Sequence, residues 1–277
     1  MTSMALLVAV LPLFIPLQDA KPEDPAKTAI SSLKEATRSK DTLMLQDALL
    51  RAGKVSDKKV VSAIGKHMAH KDQGVRLAAA EALRWMEHED AWKALEGGIR
   101  KNKKDEDVLT AIFLGIGQHA DPKSVKVLGG NMWNSPYRDV VEVRIHALGR
   151  VRDKSAVGAL VKMMVAGKPR TLGRHWPALR SSLQMLTGED HGTDAVAWNA
   201  WWSKARAKFE VPPEPFALPR KAQFKVDKMW QSPAEAKADA ERQKGRDKGD
   251  GRGEKKKDGD KGGKGKKGSG KDPQPPF

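Results

Sequence analysis

Chemistry in this sequence could come from only a few short stretches. The stretch "LTGEDHGTDAVAWNAWW", Leu186 to Trp202, sets Glu189, Asp190, His191 and Asp194 in a loop punctuated by glycines, then packs three tryptophans. Carboxylates and an imidazole are metal-ligand types, but their spacing is not the D-x-[DN]-x-[DN]-G of a calcium loop. "HMAH" puts His67 and His70 one helical turn apart, with no third ligand in register and no glutamate placed as in H-E-x-x-H. "GKKGSGKD", Gly265 to Asp272, has phosphate-loop spacing, yet Asp272 stands where a magnesium-binding hydroxyl belongs, and the surroundings are low-complexity. "EHED", Glu87 to Asp90, falls at a helix end. No G-x-S-x-G elbow occurs, and cysteine is absent, which removes thiol nucleophiles and cysteine-bound zinc. The sequence therefore predicts no catalytic residue, no metal and no cofactor.

The first stretch makes better sense as a joint and a cap. Leu179, Leu183 and Leu186 form an apolar helix stripe, and Thr187-Gly188 is a helix stop. Gly192 permits a second turn, and Thr193 or Asp194 is a natural first cap for the next helix. Trp198, Trp201 and Trp202 stand at i, i+3 and i+4, one face of that helix, where they could seal the exposed end of a stack.

The elements that must position these residues form a repeat. Val75, Ala79, Ala82, Leu83 and Met86 follow the amphipathic helical period. Val108, Ile112, Gly115 and Ile116 repeat it 33 residues on, and Val140, Ala147 and Leu148 a further 32 on. His88, Asp121 and Asp153 hold the turns, and Arg84, Gly117 and Gly149 align just past the key apolar residue. Upstream, Leu50 aligns with Leu83 and Ile64 with Leu95. A helix pair of this length cannot bury its apolar face alone, so stacked pairs bury it together. The predicted fold is all-α, an α-solenoid of about five helix pairs.

"DQGVRLAAAEALRWM" and "VVEVRIHALGRVRDKSAVGALVKMM" resemble bacterial HEAT repeats of the kind called PBS-lyase-like. The resemblance covers roughly residues 40–205. It implies that Arg76 and Arg144 are the family arginine, which bonds a turn aspartate of the adjoining repeat. The second repeat departs, with Val108-Leu109 in place of Val-Arg. "LTGEDHGTDAVAWNAWW" looks like the closing segment of exported HEAT-repeat proteins, Leu-Thr-Gly followed by Trp-x-x-Trp-Trp, with His191 replacing an aromatic residue. Such repeats host many roles, so the resemblance speaks to fold far more than to function.

"GKPRTLGRHWP", Gly167 to Pro177, interrupts the period and reads as an inserted loop. Insertions of this kind sit on binding faces. Lys168, Arg170, Arg174, His175 and Trp176 are the candidate binding residues, a cation-plus-tryptophan cluster suited to an anion or a nucleic-acid base. The bland account is a long connection with Trp176 packed on Leu179.

Both ends differ from the middle. Ala5 to Leu17 is an apolar run of 13 residues, too short to span a bilayer and fit for a secretory signal ending near Ala20. No Lys or Arg precedes it. The expected divisions are a signal peptide at 1–20, the solenoid at 21–209, an extended Pro-rich segment at 210–231 and a disordered Lys/Gly/Asp-rich tail at 232–277. The formal charge is +16, of which +12 falls on residues 21–231 once the tail's +5 and Asp19 are set aside. The folded part is thus the basic part.

These features predict a non-enzymatic protein-interaction scaffold, periplasmic or otherwise exported, with cytoplasmic residence as the alternative. Its curved helical face would meet proteins with acidic surfaces. The polycationic tail would tether it to an anionic polymer or envelope surface, and no transmembrane span is expected in the mature chain. The rival reading is a nucleic-acid-binding or DNA-repair HEAT-repeat protein, which the basic charge would suit. Against it, the arginines form no regular stripe.

Overall fold

A computed structural model describes residues 24–250. The chain divides into two units, Met1–Trp230 and Gln231–Phe277. The signal-peptide reading of residues 1–20 and the "GKKGSGKD" stretch lie outside the described residues, as does the tail from 251 onward.

The larger unit is an α-solenoid, with no strand among the described residues. Its helices are α1 (Pro25–Ser39), α2 (Thr42–Ala52), α3 (Lys58–Lys66), α4 (Gln73–Trp85), α5 (Ala91–Ile99), α6 (Glu106–His119), α7 (Val125–Gly129), α8 (Arg138–Arg150), α9 (Lys154–Ala166), α10 (Pro169–Thr187), α11 (Ala195–Ala205) and α12 (Arg220–Trp230). Consecutive helices pair, from α1/α2 to α9/α10, giving five pairs. The second member of each pair packs on the next second member, so α2, α4, α6, α8 and α10 make one layer. In the other layer α1 packs on α3, α3 on α5, α7 on α9, and α9 on α11.

Local chemistry starts most of these helices. An aspartate side chain accepts backbone N–H bonds at the N-terminus of α1, α2, α3, α4, α6, α9 and α11. Each such cap satisfies donors that the helix cannot satisfy itself. The repeat positions then fill one continuous core. Val75, Leu83, Val108, Ile112, Ile116, Leu148, Leu160, Leu179 and Leu183 are all fully buried. Upstream the register is one residue off the expected one, since Leu49 is buried and Leu50 is 45% exposed.

Small residues draw the second layer tightly together. A Cβ on Gly117 would lie 2.6 Å from the Ala147 side chain, and one on Gly149 2.7 Å from Ser182. A Cβ on Gly53 would meet the Ala82 backbone at 2.8 Å. Glycine lets these helices approach where any side chain would hold them apart. This closely packed layer of α2, α4, α6, α8 and α10 is termed the inner layer and the other the outer layer.

Two stretches correct the sequence reading. Residues 220–230, expected to be extended, form α12. Ala222, Val226 and Trp230 fall at i, i+4 and i+8, and that stripe packs on the solenoid, with Val226 and Trp230 buried. Pro212 to Pro219 remain without helix. Residues 233–250, expected to be disordered, form helix α13 (Pro233–Asp250) in the smaller unit. A reciprocal capping box starts it. Ser232 N–H donates to the Glu235 carboxylate, and Glu235 N–H donates to Ser232 Oγ. None of its described side chains is buried, so local propensity rather than packing holds it. No helix among the described residues is long and apolar enough to cross a membrane.

Candidate interaction surfaces

The loop after α10 is a joint. Gly188 (φ 73°) ends α10, and Gly192 (φ 59°) makes the second turn. Asp194 caps α11 through the N–H groups of Val196 and Ala197. Asp190 is gripped on both oxygens by Arg180, a fork that holds its carboxyl down to about 2. His191 stands edge-on to Trp198, ring centroids 4.7 Å apart. Asp190 and Asp194 thus each have a structural task. No group of metal-ligating residues occurs among the described residues.

The three tryptophans of α11 differ in burial. Trp198 is fully buried and donates its Nε1–H to Gly192 O at 3.2 Å. Trp201 and Trp202 are half-buried, each edge-on to Phe209. Trp202 also lies over Gly158 of α9.

The basic insertion is not a loop. Residues 169–187 are one 19-residue helix, α10, so the period is lengthened by extra helical turns. Pro169 sits in the first turn, where its missing N–H costs nothing, and Leu172, Leu179, Leu183 and Leu186 supply a buried stripe. Pro177 lies inside the helix on its exposed side. The five residues do not converge. Lys168, Arg170 and Arg174 are exposed, Trp176 is half-buried against the core, and His175 is 4% exposed with its ring against Trp133.

The two inter-repeat arginines also part company. Arg76 donates to the Asp105 carboxylate at 2.5 Å, and to the carbonyls of His70 and Lys71. Arg144 reaches no turn aspartate. It donates to the carbonyls of Val127, Leu128 and Gly130, closing the end of α7 within its own pair, and stacks 4.8 Å over Phe113. The reason is register. Val140, not Val143, occupies the place of Val75, so Arg144 sits about one turn further along its helix.

Two surfaces were not singled out in the sequence. The first runs along the C-terminal ends of the inner helices, where residues 209–230 fold back as a strap. Arg152 donates to the carbonyls of Pro212 and Glu214, and Phe216 N–H donates to Met185 O. Lys225 pairs with Glu142 at 2.5 Å, and Arg84 donates to Met229 O at 3.0 Å. Trp230 lies against Gly117, with the Arg150 guanidinium 4.7 Å above its ring. Beside Glu142, His146 is 2% exposed with neither ring nitrogen hydrogen-bonded, and burial pushes it down to about 4. The i, i+4, i+8 spacing of Ala222, Val226 and Trp230 was the available signal for this strap.

The second surface lies between α1 and α3 of the outer layer. A groove of about 860 Å³ is lined by Lys34, Arg38, Lys58, Lys59 and Lys66, with Ile30, Leu33 and Ala63 partly or fully buried in its floor. Among the described residues no carboxylate lines it. Its lysines are spread over two helices, so no single run in the sequence marks it.

Residues 30–112 match the family model for HEAT repeats. That segment runs from α1 into α6 and takes in the Arg76–Asp105 contact. The chain is a HEAT-repeat domain-containing protein, and its all-α solenoid continues the same architecture beyond the matched segment. Comparison with curated proteins returns no match.

Proposed function

We propose that this protein is a non-enzymatic interaction scaffold whose solenoid surface binds acidic segments of partner proteins. The observation that carries this reading is the α1/α3 groove, with five cations on its walls, an apolar floor and no carboxylate among the described residues. An acidic amphipathic segment complements both features, placing carboxylates at the rim and apolar side chains on Ile30, Leu33 and Ala63. Charge of one sign steers such partners and disfavours others. HEAT repeats, as quasi-linear stacks, offer extended surfaces for this purpose. Export to the periplasm or beyond, and a tethering role for the basic tail on anionic polymers, belong to the same proposal.

The test is a salt-series titration of the full chain against an acidic amphipathic peptide and against duplex DNA, repeated with Lys59→Glu/Lys66→Glu. The proposal expects peptide binding that the double variant weakens about tenfold. Tight DNA binding with a steep salt slope, unmatched by the peptide, would overturn it in favour of the nucleic-acid reading.

A further inference from the structure

The inner edge carries three arginines, from two places in the sequence. Arg84 is the penultimate residue of α4, Arg150 ends α8, and Arg152 follows two residues later. Burial works against the charge of all three. Buried cations are ordinarily met by carboxylates. Among the described residues the only ion pair they make is the loose one from Arg84 to Glu81, at 3.8 Å. Otherwise they hold neutral groups. Arg84 takes Met229 O, and Arg150 takes Gly117 O and the Trp230 ring. Arg152 takes the carbonyls of Met185, Pro212 and Glu214.

Most of those neutral groups belong to the strap, and the strap fits the edge incompletely. Trp230 Nε1 and Arg84 Nε are buried with no hydrogen-bond partner. Buried polar groups left unmatched are uncommon and call for an explanation. Of the large apolar residues in the strap, Leu218, Val226 and Trp230 are buried, while Phe216 is 43% and Phe224 65% exposed. A segment with so few buried anchors opens at lower cost than the core beneath it.

We infer that the Arg84–Arg150–Arg152 edge is a docking site for a partner segment that carries a tryptophan or phenylalanine among acidic residues, and that the strap occupies this site in cis. The aromatic ring takes the place of Trp230 under Arg150, against Gly117. The carboxylates replace the strap's carbonyls on Arg84 and Arg152. The bonds to carbonyls already have a charged donor; a carboxylate adds the attraction of a second full charge, which gives the incoming segment the advantage once the strap lifts. The closed strap lowers the apparent affinity by the fraction of molecules in which it is open. This site goes beyond the outer groove: it lies on the opposite layer and requires an aromatic residue, which the outer groove does not.

The experiment uses the full chain and a labelled Glu/Asp-rich peptide bearing one tryptophan, read by fluorescence anisotropy. A control peptide carries serine in place of the tryptophan. Wild type is compared with Trp230→Ala and with Lys225→Glu, which turns the Glu142 ion pair into a repulsion without removing a buried side chain. The inference expects about tenfold tighter binding of the tryptophan peptide to both variants, and no such gain for the serine peptide. It also expects saturating tryptophan peptide to speed hydrogen exchange at residues 220–230 of the wild type. Equal affinity across the three proteins, or unchanged exchange at 220–230, would overturn it and leave the strap as a fixed part of the fold. Should Trp230→Ala fail to fold, Lys225→Glu and the exchange measurement decide the matter alone. Equal binding of both peptides would assign the affinity to the outer groove, sinking this inference while leaving the scaffold reading intact.

Discussion

Arg76 on α4 and Asp105 at the start of α6 meet across a repeat boundary, Nη2 to Oδ2 at 2.5 Å. The same carboxylate accepts the Val108 N–H as the cap of α6 and the Gln73 amide from α4. Burial opposes its charge, but these hydrogen bonds outweigh burial and hold Asp105 below the usual carboxylate range. One side chain therefore starts a helix and fastens it to its neighbour.

Arg76→Ala should cost about 1–3 kcal/mol, because it strips a partner from a largely buried carboxylate. Asp105→Ala should cost about 1 kcal/mol more, through loss of the cap. Urea denaturation of the two single variants and the double variant gives the coupling energy. A coupling near zero would mean the contact does not bind the repeats together.

Gly117→Ala adds a methyl group 2.6 Å from both the Ala147 Cβ and the Trp230 ring. Ala147 Cα is 3.0 Å away and belongs to backbone, so α6 and α8 must move apart. The expected loss is about 1–3 kcal/mol, the usual range for overpacking. Hydrogen exchange should also quicken at residues 220–230, because Trp230 loses its seat. Thermal unfolding and exchange together check both effects.

Trp198→Ala removes a fully buried ring from the end of the stack and should cost about 3–5 kcal/mol. The half-buried Trp201 and Trp202 should cost less when replaced singly. Size-exclusion chromatography should show self-association of Trp198→Ala, as the uncapped end exposes apolar surface. If the variant stays as stable and monomeric as wild type, α11 is not a cap.

His146 gives a pH dependence of definite sign. Burial holds it to about 4 in the fold, against about 6.5 when unfolded, with Glu142 raising and Lys225 lowering it in lesser measure. Between those values the unfolded chain binds the extra proton, so stability is present above pH 6.5 and falls as pH drops toward 4. His67, His119 and His175 shift in the same direction and add to the slope. His146→Leu should flatten the loss relative to wild type, and it should not weaken the protein at pH 7, because it removes two unbonded ring nitrogens. Urea midpoints at several pH values between 4 and 7 test this.

The repeat was legible because each pair writes the same helical stripe, and Val75, Val108 and Val140 mark it in steps that the core reproduces. The α10–α11 joint was legible for the same kind of reason, since glycines, a cap and three tryptophans each have one local use. What misled was local chemistry that tertiary packing overrode. Pro169, Gly173 and Pro177 read as loop punctuation, yet a leucine stripe carries the helix through all three. The Val-Arg dipeptide at Val143-Arg144 looked like the one at Val75-Arg76, but the apolar register had already set Val140 opposite Val75. The helix of the strap, α12, was hidden by "VPPEPFALP" just ahead of it, which made the whole stretch read as extended. The basic groove was invisible in principle, because only folding brings α1 and α3 side by side.

The seventh helix spans five residues, while its counterpart in the inner layer, α8, spans 13. Beside it a cleft of about 690 Å³ opens, lined by Ile99 and Lys103 on one side and by Lys126 and Tyr137 on the other. The stack is thus continuous along one side and interrupted midway along the other. The third pair is therefore held to the fourth chiefly through α6 and α8, and the outer layer adds little to that junction.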